Sequence, residues 1–154
     1  MRRSGFGFTL IELLVAVSIG MILTVGGLAA YRGFGEKQSL IQAGLELETN
    51  LRLVQKKAFS GEKPAVCSGT LNGFWLKRES DFSYKIDVDC FGGVVMIDEV
   101  ITLPEGVSFS TEAFEIFFPV LKSMVTGVII DLQSDTFSYQ VTIENSGVIR
   151  GELL

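Results

Sequence analysis

The longest apolar run of the chain stands near its start. Over residues 8–30 nearly every side chain is apolar or small, and after Glu12 no charge appears until Arg32. As a helix this stretch reaches the roughly 20 residues that cross a bilayer core, so the pattern predicts a membrane-spanning helix over residues 8–31. The helical signal does not stop there. Leu40, Gly44, Leu47, Leu51, Val54 and Ala58 recur at alternating spacings of four and three, which puts them on one face. Gln42, Glu46, Thr49 and Lys56 fall opposite, while Ile41, Leu45 and Leu53 widen the apolar surface, as suits a helix packed on more than one side. Residues 32–60 therefore read as a continuation of the helix, packed on the rest of the protein. Ser60-Gly61-Glu62-Lys63-Pro64 supplies the breaker residues that end it.

Beyond the breaker the hydrophobic period shortens to that of strands. Short runs are predicted over residues 73–77, 84–88, 94–103, 107–109, 114–118, 128–132, 139–143 and 148–150. Turn residues separate many of them, as at Gly92-Gly93, Pro104-Glu105-Gly106 and Asn145-Ser146-Gly147. The fold class expected is α+β: one long N-terminal helix, then an antiparallel β-sheet head over residues 61–154. No internal repeat or low-complexity segment is visible.

Glu12 conflicts with a plain anchor. An ionised carboxylate at mid-membrane costs about 2.5–3.5 kcal/mol on insertion scales, so the residue calls for a positive partner. Gly7 offers a backbone that a protease can approach without meeting a side chain, and cutting there frees an amine at Phe8, on the same helix end as Glu12. In subunits stacked with an axial offset, the amine of one would reach the Glu12 carboxylate of its neighbour. Such a pair neutralises both charges and sets the register, whereas either charge alone in an apolar bundle is costly.

Gly7-Phe8-Thr9-Leu10-Ile11-Glu12, behind the basic leader that holds Arg2 and Arg3, resembles the processing site of type IV pilins and type II secretion pseudopilins. The resemblance implies a leader over residues 1–7, cleavage between Gly7 and Phe8 by a prepilin peptidase, N-methylation of Phe8, and a subunit-docking role for Glu12. The leader's arginines keep the N-terminus cytoplasmic and send the C-terminal bulk outward. The expected location is thus a single-pass inner-membrane protein with an exported head, periplasmic or extracellular after filament assembly. The helix-then-strands order and the closing residues 141–151, "VTIENSGVIRG", look like the GspH/FimT-like minor pseudopilin group. Two other readings compete. A secretory signal peptide with a cut near Gly27-Leu28-Ala29-Ala30 is interrupted by Glu12 and outrun by the helical pattern. A plain signal anchor leaves Gly7 and Glu12 without a role.

Glycines punctuate the helix at Gly20, Gly26, Gly27, Gly33 and Gly35. Each costs about 1 kcal/mol against Ala in a helix interior, so Gly26, Gly27, Gly33 and Gly35 form a candidate hinge. Related pilins often carry a kinking Pro in this part of the helix, and this chain has none there. Close helix packing in the membrane is the other use for such residues, and the two are compatible.

Charge and chemistry narrow the function. The chain's 154 residues suit one domain plus its stalk, and the formal charge is −5. Losing the leader's arginines makes the mature protein more acidic still. That balance argues against tracking phosphate backbones. The best basic pair of the head, Lys77-Arg78, is followed by Glu79 and Asp81, and Arg150 stands beside Glu152, so nucleic acid is not an expected partner. Cys67 and Cys90 are the two cysteines. On the exported side a disulfide is expected of them, within or between subunits; a metal site would lack histidine, of which the chain has 0. The same absence removes the Ser-His-Asp and Cys-His arrangements, and the glycine pairs match neither a P-loop nor a GxGxxG unit.

Asp87 and Asp89 share a strand face near Asp81 and could bind Ca2+, but the loop pattern is wrong and alternating acids commonly mark a solvated face. Residues 114–121 read as a core strand ending at Pro119, with an exposed docking patch as the alternative. No catalytic residue, metal or cofactor is expected.

These readings converge on a non-enzymatic structural, minor filament subunit. Its expected partners are other pilin or pseudopilin subunits through helix packing, the prepilin peptidase, the inner-membrane assembly platform and the membrane itself. The alternative is a tip-located binding module that recognises a surface, DNA or a secreted protein through the β head. A clustered basic or aromatic surface on the head would favour it.

Overall fold

One helix carries the first third of the chain. In the computed structural model, which describes residues 9–122 and 124–154 (the side chains of residues 25–32 and 94–99 excepted), α1 runs Leu10–Ser60. Leu71–Ser80 (β1), Ser83–Cys90 (β2), Gly93–Thr102 (β3), Ser108–Phe109 (β4), Glu115–Pro119 (β5), Val128–Gln133 (β6), Ser138–Ile143 (β7) and Ile149–Leu153 (β8) follow. The architecture is the expected α+β. The chain divides into two compact units, Met1–Gly35 and Glu36–Leu154.

In the first unit, Thr9 begins the helix: its hydroxyl accepts the Glu12 amide at 3.3 Å, satisfying one of the donors that a helix N-terminus leaves open. Leu10, Ile11, Leu13, Leu14, Val15, Val17, Ile19, Met21, Ile22 and Leu23 are all exposed. The hydroxyls on this stretch turn inward. Ser18 donates to the Leu14 carbonyl at 2.8 Å and Thr24 to those of Gly20 and Met21 at 2.9 Å, leaving a surface free of unpaired hydroxyl protons. Among the described residues no helix is long and apolar enough to cross a membrane. The described apolar run, residues 10–24, rises about 22 Å at 1.5 Å per residue, against a core of about 30 Å.

In the second unit the predicted stripe forms the spine of the core. Leu40, Gly44, Leu47, Leu51, Val54 and Ala58 are buried, Gln42, Glu46, Thr49 and Lys56 exposed, and Leu45 and Leu53 also lie exposed. Two antiparallel four-stranded sheets complete the head, ordered β3-β2-β1-β5 and β4-β6-β7-β8. β1, β2 and β3 form a meander; the chain then crosses to β4, returns for β5 at the edge beside β1, and closes with the β6-β7-β8 meander. Phe74, Leu76, Tyr84, Val88, Ile116 and Phe118 enter the core from the first sheet, and Ile130, Leu132, Tyr139, Val141 and Ile143 from the second.

The strand ends follow the turn chemistry. Gly61 (φ 65°) stops the helix, Gly92 and Gly93 close β2–β3, and Gly147 (φ 86°) closes β7–β8. Phe114, Ile116 and Phe118 are buried, so residues 114–118 are core strand. Cys67 and Cys90 are bridged within the chain, Cα to Cα 5.8 Å, tying the loop after the helix to the end of β2.

Candidate functional site

Gly7 and Phe8, the expected cleavage and methylation positions, lie outside the described residues. Glu12 sits in the first turn of α1, exposed, and no salt bridge to it exists among the described residues. Position three after Thr9 gives it one local role already, since Thr-x-x-Glu is the capping-box spacing and an acid there favours the positive helix end. The hinge candidates Gly26, Gly27, Gly33 and Gly35 all lie within the helix as assigned. A Cβ built at Gly20, Gly33 or Gly35 meets nothing within 4 Å, so packing inside the chain does not explain those three.

The helix is clamped to both sheets by polar side chains flanking its apolar stripe. Toward the first sheet, Asn50 donates to the Tyr84 hydroxyl at 2.7 Å. Toward the second, Glu48 accepts the Tyr139 hydroxyl at 2.8 Å and the Arg52 guanidinium at 3.2 Å; Arg52 also donates to the Ile149 carbonyl at 2.7 Å, and Gln55 to that of Gly147 at 2.7 Å. Glu48 is only 9% exposed. Gly44 lies under the Tyr139 ring, and Gly151 lies against Glu48 and Tyr139, where any Cβ would collide. Burial, and then the bond to Glu48, push the Tyr139 hydroxyl up to about 12. Their partner Tyr139 is 91 positions from Glu48, and no local pattern links them.

The outer face of the first sheet corrects one expectation. Asp87 is not solvated: it is 4% exposed, and its Oδ1 has no hydrogen-bond partner among the described residues. β2 is an inner strand, lying between β1 and β3 with Asp87 opposite Trp75 of β1. Asp89 accepts from Asn72 at 3.1 Å and the Trp75 indole at 3.5 Å. Asp81 pairs instead with Arg78 in the β1–β2 turn. Among the described residues no group of three or more metal-type ligands comes together.

The Lys77-Arg78 pair is taken up inside the head. Lys77 lies 4.5 Å over the Trp75 ring and 3.8 Å from Glu115. Arg78 donates to the carbonyls of Ser80, Thr111 and Glu112 as well as to Asp81, which fastens the crossover between the sheets to the β1–β2 turn. At the C-terminus, Arg150 pairs with Glu144 at 3.6 Å.

A family model described as the prokaryotic N-terminal methylation motif matches residues 2–28. Over those residues the chain is similar to the N-terminal motif of type IV pilin and pseudopilin subunits. The match takes in Gly7, Phe8 and Glu12 and ends at Leu28, and leaves the head outside its reach. The chain matches no curated protein and no solved structure.

Proposed function

We propose that this protein is a non-enzymatic, minor structural subunit of a type IV pilus-like or type II secretion pseudopilus filament. The observation that carries the reading is the methylation motif over residues 2–28, with one carboxylate, Glu12, at the head of an otherwise uncharged run. A prepilin peptidase cuts between Gly7 and Phe8 and the new amine of Phe8 is methylated. Glu12 then meets the Phe8 amine of a neighbouring subunit. Residues 8–31 move from bilayer into filament core, where partner helices replace lipid around the exposed apolar side chains. Residues 32–60 present the helix to the head, and the glycines from Gly26 to Gly35 let the two parts adjust during that transfer. The head, residues 61–154, remains on the exported side.

N-terminal mass spectrometry of the membrane fraction tests this reading. The expected mature chain starts at methylated Phe8. A chain still beginning at Met1, or one cut near Ala30, refutes it. Low copy number in purified filaments is expected of a minor subunit, and stoichiometric abundance would make it a major one.

A further inference from the structure

Among the described residues one buried side-chain polar atom lacks a hydrogen-bond partner, Asp87 Oδ1. A carboxylate buried with neither donor nor cation is costly, and such groups are rare in folded proteins. Its own neighbourhood does not relieve it. Residues 94–99 of β3 are Val-Val-Met-Ile-Asp-Glu, which bring no cation, amide or alcohol side chain. Lys85, two positions back on β2, is bonded to Glu79. That bond is the first cause of its raised pKa, and the charge of Asp87 contributes less. Strand formation does not ask for an acid here either, since Asp is depleted in strands.

The surroundings of Asp87 are those of a cation site. Register places Asp87, Trp75 and Phe117 in one row across β2, β1 and β5, on the face turned away from the core residues Leu76, Ile86 and Ile116. Trp75 and Phe117 are half-buried with ring centroids 4.6 Å apart, and the missing Cβ of Gly73 leaves the space that the Phe117 ring takes. The Trp75 ring already receives a cation, the Lys77 ammonium at 4.5 Å. One row over, Asp89 accepts only from neutral donors, Asn72 and the Trp75 indole. The two lysines of this face are balanced, Lys77 by Glu115 and Lys85 by Glu79. Asp87 and Asp89 are left as uncompensated charges beside an aromatic pair.

We propose that this face binds an arginine side chain presented by another protein, its guanidinium donating to Asp87 and Asp89 and stacking on the Trp75–Phe117 pair. A guanidinium is planar, offers several N–H donors in a fixed fork and lies well on aromatic faces, whereas an ammonium is a compact, strongly hydrated point charge. A neutral sugar would stack on the rings but leave both carboxylates without a counter-charge. The head's own arginines are committed elsewhere: Arg52 to Glu48 and the Ile149 carbonyl, Arg78 to Asp81 and the crossover carbonyls, Arg150 to Glu144. The arginine therefore comes from a protein of different sequence. Asp87 is covered in the free protein, so side chains at the rim shift as the guanidinium enters, and the new charged hydrogen bonds offset that shift. The site lies within the head and does not rest on the filament reading.

Trp75 is the single tryptophan of the chain, so its fluorescence reports this face directly. The full chain in detergent micelles is titrated with N-acetyl-arginine amide, and separately with N-acetyl-lysine amide, maltose and calcium chloride. The arginine probe should give a saturable change in emission, the lysine probe should bind roughly tenfold more weakly, and maltose and calcium should give no response. Asp87→Asn and Asp89→Asn should each weaken binding of the arginine probe roughly tenfold. Asp87→Asn should also raise Tm, because it removes a buried charge that the free protein leaves unpaired; a merely structural Asp87 would make Tm fall. Non-reducing gels that retain the Cys67–Cys90 bridge verify that each variant head has folded. No saturable response to the arginine probe, binding untouched by both substitutions, or a lower Tm in Asp87→Asn overturns the inference. An equal response to the lysine probe, or a response to maltose or calcium instead, overturns it as well and gives the face another ligand. A wild-type chain that lacks a methylated Phe8 removes the filament reading and leaves this site standing.

Discussion

Tyr139→Phe isolates one hydrogen bond of the clamp between helix and second sheet. The ring stays, and with it the contacts with Gly44 and Gly151; what is lost is the 2.8 Å donation to Glu48. A hydrogen bond to a charged group contributes about 1.5–3 kcal/mol. Arg52 still reaches the other carboxylate oxygen at 3.2 Å, so Glu48 is not left wholly uncompensated and the expected loss is about 2 kcal/mol. The raised hydroxyl sets an upper bound on the bond, since burial is the larger cause of the rise. Its rise from 10.0 to about 12, at 1.36 kcal/mol per pKa unit, corresponds to at most about 2.7 kcal/mol.

The sign follows from the acid form being the one that bonds. A folded-state pKa above the unfolded one gives stability that is full below about pH 10 and is lost as pH rises through about 12. Thermal unfolding near neutral pH should show Tm lower by roughly 5–10 °C in the variant. Ultraviolet titration should show the tyrosinate step near pH 12 gone, and the stability difference between wild type and variant should shrink across that alkaline window. A variant within about 0.5 kcal/mol of wild type would refute the clamp as a contributor to stability.

Glu12→Ala should leave cleavage after Gly7 largely intact by mass spectrometry yet exclude the subunit from filaments; normal assembly would remove the docking role. Leu47→Ala, at a fully buried stripe position, should cost about 2–5 kcal/mol in denaturant unfolding. Leu53→Ala, on the exposed side of the same helix, should cost no more than about 0.5 kcal/mol. Equal effects from the two would mean the helix packs on a different face. Opening the Cys67–Cys90 bridge, by reductant or by Cys67→Ser/Cys90→Ser, releases a loop with a sequence separation of 23 and should lower stability by about 3 kcal/mol. Two thiols titrating in protein purified without reductant would contradict the bridge.

Much of the fold was legible because its signals are local. The alternation of four and three from Leu40 to Ala58 named the buried face before any sheet was present to bury it, since a helix repeats every 3.6 residues whatever it packs on. Breakers at Gly61, Gly92-Gly93, Gly106 and Gly147 fell at element ends because only glycine takes their positive φ without strain. The N-terminal motif was equally local, a short ordered string of neighbouring residues. Pairing was another matter. Asp87 looked like half of a solvated acidic face, and became a buried residue because β2 lies between β1 and β3. Lys77-Arg78 was the best basic pair of the head, and it is spent on Trp75, Glu115, Asp81 and the crossover carbonyls.

By itself, then, the sequence determined the helix and its buried face, the succession of strands, the bridgeable cysteines and the N-terminal motif with Glu12. Each is written in neighbours or in a short period. Tertiary structure alone decided which polar residues became internal: Glu48 under Tyr139, Asn50 on Tyr84, Arg78 across the sheets. Those outcomes depend on strand order and on contacts between residues far apart in the chain. A charge read in sequence has no direction until the backbone gives it one.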